Sequence, residues 1–178
     1  MSILKVNTIQ DKGGNTLLSS DGAGTISSGG AITNTPSFKA YRTANQSLAN
    51  NTWTKIEFNV EDYDTDSAYD SSTNYRFTVP TGKGGKYLFC YALNVDDMGD
   101  NQRVGIKLYV NGSNNEYTWV QQFSTGGGNL IGRVGGSSIL DLSAGDYVEV
   151  YGRQNGGASK NLIGGERQEF SGYKLIGV

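Results

Sequence analysis

Period-two alternation of apolar and polar residues, restarted repeatedly between turn signals and never replaced by a helical repeat, most restricts what this chain can become. Ser37-Phe38-Lys39-Ala40-Tyr41-Arg42 reads as one strand. Residues 55–60 read as another, with Ile56, Phe58 and Val60 on one face, and residues 74–79 repeat the period until Pro80 ends it. Further strands are expected over residues 86–95, 103–110, 116–123, 137–142, 147–151 and 168–176. Asn111-Gly112 between two of them is a tight-hairpin signal, because such a turn needs positive φ at both central residues. No segment has a convincing amphipathic helical pattern. Many short strands joined by tight turns predict an all-β sandwich or jelly roll. The 26 glycines in 178 residues, beside only 2 prolines, fit that reading, because glycine turns the chain at no steric cost.

Composition then removes several functions. With 15 basic and 17 acidic residues and no basic stripe, the chain has no electrostatic footprint for nucleic acid. No apolar run is long enough to span a membrane, and the opening Met1-Ser2-Ile3-Leu4-Lys5 lacks the apolar core of a signal peptide. The expectation is a protein made in a cytoplasm and kept there or released by lysis, in keeping with the lone Cys90. The chain has 0 histidines, which removes the commonest group for acid–base chemistry and transition-metal ligation. An enzyme is therefore not expected, and neither is a cofactor.

Residues 1–35 differ from the rest. Ile3, Val6, Ile9, Leu17, Leu18 and Ile26 are spaced apolar points in a polar, glycine-rich stretch. Gly14-Asn15-Thr16-Leu17 and Gly24-Thr25-Ile26 form a weak repeat of turn followed by apolar residue. Such a segment cannot bury a core of its own. It reads as an extended docking arm that orders on a partner, with a disordered tail as the alternative. Residues 36–178 form the head.

Within the head, residues 87–93 carry Tyr87, Phe89, Tyr91 and Leu93 on one face and Leu88, Cys90 and Ala92 on the other. A sheet with one wet side should alternate apolar with polar. Here both faces need cover, one from the opposing sheet and the other from a neighbouring subunit or a loop of the same chain. Cys90, among bulky neighbours and without a histidine, reads as a small core residue.

Six blocks in order resemble the globular head of complement component 1q and the related tumour necrosis factor superfamily. They are Phe38-Lys39-Ala40-Tyr41, Trp53-Thr54-Lys55-Ile56-Glu57-Phe58, Tyr69-Asp70 through Phe77-Thr78-Val79-Pro80 to Gly85-Lys86-Tyr87-Leu88-Phe89, Leu108-Tyr109-Val110-Asn111-Gly112, Leu140-Asp141-Leu142-Ser143-Ala144-Gly145-Asp146-Tyr147-Val148, and Phe170-Ser171-Gly172-Tyr173-Lys174-Leu175-Ile176. The resemblance implies a ten-stranded antiparallel jelly roll that assembles as a homotrimer. The family's first, third and last strands belong to the sheet lining the trimer centre, which makes Tyr87, Phe89, Tyr91, Leu93, Tyr173 and Leu175 the expected interface residues. The opening Ile3-Leu4-Lys5-Val6-Asn7-Thr8-Ile9-Gln10-Asp11 with Gly14-Asn15 is similar to the start of tail-fibre and other virion proteins of marine bacteriophages. No collagen-like stalk joins arm to head, which favours a virion over an animal immune role. The implied setting is a virion structural protein docked by its arm to other tail or capsid proteins. Its head would be either a host-binding tail-fibre or adhesin module contacting a surface glycan or protein, or a capsid decoration protein.

Each candidate site has a plainer counterpart. Asp62, Asp64 and Asp66 could chelate calcium, but they lack a regular chelating spacing and also fit a solvated loop. As a glycosidase pair, nothing in the sequence fixes their separation. Tyr109, Tyr117 and Trp119 could stack on a sugar or another apolar ligand, or pack in a core or interface. Gly126-Gly127-Gly128 and Gly156-Gly157 lack the Lys-Ser/Thr and helix of a phosphate cradle and read as turns.

Overall fold

The computed structural model describes residues 6–28, 34–126 and 130–176. Ile3, Gly127 and Gly128 lie outside them. The chain divides into two compact units, Met1–Asn34 with Ile176–Val178, and Thr35–Leu175.

The larger unit is two sheets of seven strands each. In the first, Ser37–Arg42 pairs with both Val60–Asp64 and Gly165–Lys174, which pairs in turn with Gly85–Met98. Gly85–Met98 also pairs with Leu130–Leu142 and, through Val95, with Lys160–Leu162, which carries Gln46–Leu48. In the second sheet Arg103–Val110 lies between Tyr147–Gln154 and Val120–Phe123. Tyr147–Gln154 also pairs with Arg76–Thr78 and Thr54–Lys55. The sandwich is therefore all-β and antiparallel, of the kind the alternation implies. Short pieces such as Ser113–Asn114 raise the number of strand segments above ten.

Sequence and structure differ in instructive places. Residues 55–60 are not one strand: Ile56 and Phe58 are buried, but the ladder breaks between Thr54–Lys55 and Val60–Asp64 as the chain passes from one sheet to the other. Residues 116–118 form a 3₁₀ turn instead of opening a strand, held by the Asn115 side chain accepting from the Tyr117 N–H. Asn111 and Gly112 do turn with φ of 52° and 73°, as the hairpin requires.

The core is an aromatic stack. Phe38 lies 5.1 Å from Tyr69 and 5.0 Å from Phe77, nearly parallel to both, and meets Phe170 edge-on at 4.9 Å. Gly172, opposite Phe89 across the ladder, leaves the space that this ring fills, since a Cβ there would sit 2.6 Å from Phe89 Cδ1. Buried hydroxyls find partners: Tyr69 donates to the Phe58 carbonyl and Tyr87 to that of Lys83.

The smaller unit is a three-stranded antiparallel meander of Thr8–Gln10, Thr16–Ser20 and Ile26–Ser28. It is thus more ordered than an extended arm. Two equivalent turns explain the order. The Asp11 carboxylate accepts from the Gly13 and Asn15 N–H groups, and Asp21 accepts from those of Ala23 and Thr25. In each turn the glycine three residues on, Gly14 or Gly24, has positive φ. Hydrogen bonds from Asn15 and from the Ala23 N–H hold the two carboxyls below the usual carboxylate range. The described residues of the meander form no core: Val6, Ile9, Leu17 and Ile26 are exposed and Leu18 half-buried. Register places Ile9, Leu18 and Ile26 on one face.

Candidate functional site

Tyr87, Phe89, Tyr91 and Leu93 point into the head's own core and expose 2% or less of their surface. They therefore offer no surface to a neighbouring chain, which corrects the expectation that these four line an interface. The outward residues of the same strand are Leu88, Cys90 and Ala92, all partly exposed. Cys90 is thus on the outer face and not in the core; burial, then Glu169, raises its thiol pKa. Leu88 pairs with Ile139 on one side and Tyr173 on the other, so three large apolar side chains make a row across three strands. Ile139 is 61% exposed and Tyr173 38%. The next rows, Ser171–Cys90–Ser137 and Glu169–Ala92–Gly135, are made largely of small side chains. Leu175 lies half-buried just past the strand, where its N–H donates to the Lys86 carbonyl.

The outer face of the second sheet has a different chemistry. Trp53 and Trp119 meet edge-on at 6.0 Å, 82° apart, over Gly105. A Cβ on Gly105 would approach the Trp119 Nε1 to 3.2 Å and Trp53 Cη2 to 3.3 Å, so the glycine makes the floor on which both indoles rest. Gly105 pairs with Arg153 on one neighbouring strand and Gln121 on the other, which brings those side chains to the same floor. With Asn51, Arg103 and Asn155 they line a cleft of about 110 Å³. Its frame is fixed from below: Gln154 donates to the carbonyls of Leu48 and Ala158, and its oxygen accepts from the Gly156 N–H.

Lys107 anchors the indoles. Its side chain is 3% exposed, and Nζ lies 4.2 Å from the Trp53 ring centroid and 5.9 Å from that of Trp119. The ammonium is paired with Glu116 at 3.2 Å. The Asn114 amide, then Lys107, holds the Glu116 carboxyl below its usual range. A desolvated cation against an indole face is worth about 2 kcal/mol, enough to hold Trp53 in place.

Of the three aromatic candidates, only Trp119 lines the cleft. Tyr109 is stacked on Tyr151 at 3.8 Å, and Tyr117 stands fully exposed on the 3₁₀ turn. Trp53, Arg103 and Arg153 were missed by sequence reasoning. The register across Gly105 would have found the arginine pair, but register is not visible in one sequence.

The acidic candidates do not converge. Asp62 pairs with Lys39 at 2.8 Å, Asp64 accepts from the Asp66 and Tyr69 N–H groups, and Asp66 accepts from the Thr65 hydroxyl. Among the described residues no three acidic or cysteine side chains gather as a cation site.

Comparison with known proteins agrees with this architecture. The globular domain of zebrafish complement 1qA superposes with a TM-score of 0.51 at 18% identity, covering 79% of this chain and 98% of that one. Eiger TNF from S. frugiperda gives 0.53 at 15% identity, over 80% and 93% of the two chains. Murine APRIL gives 0.55 at 13% identity, over 78% and 98%. Among curated proteins nothing matches. The family model of the C1q domain matches residues 37–175, and the chain belongs to that family.

Proposed function

We propose that this protein is a homotrimeric, non-enzymatic binding module of a bacteriophage virion, a tail-fibre or adhesin-type head that engages a host-surface glycan through the Trp53–Trp119 cleft. The observation that carries this reading is the division between the two outer faces. One sheet leaves Leu88, Ile139 and Tyr173 in an apolar row suited to a second and third copy of the chain. The other leaves two indoles at right angles with amide side chains around them, the usual means of holding a sugar ring by stacking and hydrogen bonding. The similarity of the N-terminal segment to virion proteins supports the setting, with that unit docking to other virion proteins.

Two measurements test this. Sedimentation equilibrium of the full chain is expected to give three times the 19.1 kDa chain mass, and a single-chain mass at micromolar concentration would reject the trimer. On a printed glycan array the wild-type chain is expected to bind a subset of sugars and Trp119→Ala to lose them. Identical binding by both would reject the cleft.

A further inference from the structure

We infer that the cleft is a subsite for a carboxylate-bearing sugar, a uronic acid residue, whose ring packs in the corner of Trp53 and Trp119 and whose carboxylate meets Arg103 and Arg153. This rests on the cleft being a glycan site and adds the class of sugar. Three observations lead to it.

The first is charge. The chain as a whole is acidic, at −2, yet two guanidinium groups and no Asp or Glu line the cleft. Nearby carboxylates are engaged elsewhere: Glu116 with Lys107, and Glu149 with Lys55 at 2.6 Å. Among the described residues neither Arg103 nor Arg153 has a carboxylate in ion-pair reach. Two arginines left without an anion beside an aromatic corner form a receptor for one, because the guanidinium fork matches a carboxylate in two parallel hydrogen bonds.

The second is placement. The Arg153 Nη2 donates to the Asn51 Oδ1 at 3.0 Å, which steadies the guanidinium while leaving most of its donors unused. Arg103 rests over the Phe123 ring, 5.1 Å from its centroid. Both groups are thus held by one contact each and keep donors for a ligand. The Gln121 amide adds a donor and an acceptor for ring hydroxyls, and Asn51 and Asn155, whose oxygens accept from Arg153 and from the Arg103 N–H, add their amide donors.

The third is size. A cleft of about 110 Å³ is well below the roughly 300–1,000 Å³ of pockets that enclose a drug-sized ligand. It suits one ring at the end or along the side of a polysaccharide, with the rest in solvent. Affinity per site is then modest, and repetition of the site within a trimer would supply the avidity.

The test uses the full chain on immobilised oligosaccharides: glucuronate- and galacturonate-bearing probes, their neutral hexose counterparts, and sulfated hexoses. The expected result is binding to uronates that weakens with added salt, falls at least tenfold in Arg103→Gln/Arg153→Gln, and is lost in Gly105→Val, which fills the cleft floor. Trimer mass and melting temperature of each variant are measured alongside, and the arginine pair, lying at the surface, is expected to change neither. Binding to neutral hexoses that Gly105→Val abolishes and the arginine variant retains would overturn the acidic-sugar assignment while leaving the glycan site intact. Binding to sulfated hexoses alone would also overturn it. No binding to any probe by a folded trimer would reject the glycan reading together with the inference.

Discussion

The two sheets of the head share one core but turn different faces outward. Around Leu88 the first sheet shows a row of large apolar residues and then serine, cysteine, alanine and glycine, with Glu169 the single charged residue of those three rows. Around Lys107 the second sheet shows cations held against rings, with Arg76 over Tyr147 at 4.0 Å and Arg103 over Phe123. Burial of apolar surface drives association without much geometric demand, whereas a polar aromatic face discriminates among ligands. The proposed trimer, with the first face buried and the second displayed, would use each for what its chemistry does best.

The largest expected effect comes from two positions on opposite faces of the Gly85–Met98 strand. Tyr91 is 2% exposed, and its hydroxyl donates to the Thr118 carbonyl at 2.8 Å. Tyr91→Asp places an unpaired carboxylate between the sheets, at a cost of several kcal/mol that the head should not survive. No cooperative thermal transition is expected, and a folded variant would mean that the core reading of this face is wrong. Leu88→Asp, on the opposite face, is expected to leave a folded head that sediments as a single chain. Retention of the trimer by Leu88→Asp would move the interface elsewhere and break the comparison between the two faces.

The smallest effect lies at the edge of the second sheet and concerns charge alone. The Asp70 carboxylate accepts from the backbone N–H groups of Thr73, Ser72 and Asn74 and from the Asn74 amide, and the first two of these bonds hold its pKa well below the carboxylate range. A depressed folded pKa contributes stability that is complete above the unfolded value near 3.9 and is lost as pH falls toward the folded value. Asp70→Asn is expected to cost about 1 kcal/mol at neutral pH, a few degrees in melting temperature at fixed protein concentration. The gap from wild type should begin to shrink below about pH 4, where the unfolded chain takes up a proton that the folded carboxylate still refuses, and should go on shrinking below pH 2. A gap constant across that range would show that shape and not charge holds the turn.

Much of the head was legible because alternation is a local signal. Residues 103–110 were readable to the residue, and Asn111-Gly112 fixed the hairpin that follows. Phase was harder than period. Where both sets of alternate residues are apolar, as in residues 87–93, the pattern gives a strand without saying which set faces in, and a slip of one inverts every assignment. Bulk supplies the missing hint, since Tyr87, Phe89 and Tyr91 suit the gap between two sheets better than Cys90 and Ala92. The cleft was less legible still. Trp53 lies just before a two-residue strand, and Arg103 and Arg153 stand fifty positions apart until the ladder brings their strands side by side.

The N-terminal meander has a property of parity. Its turns begin at Asp11 and Asp21, so one turn and one strand make a unit of ten residues. Each strand reverses the chain, and with three strands the polypeptide leaves at the end opposite to its entry. Inserting one more unit would return the exit to the entry end, whereas inserting two would restore it and widen the sheet by about 10 Å, at roughly 4.8 Å per strand. Length variants of this segment that keep its entry and exit at opposite ends of the sheet are therefore expected to differ by even numbers of units.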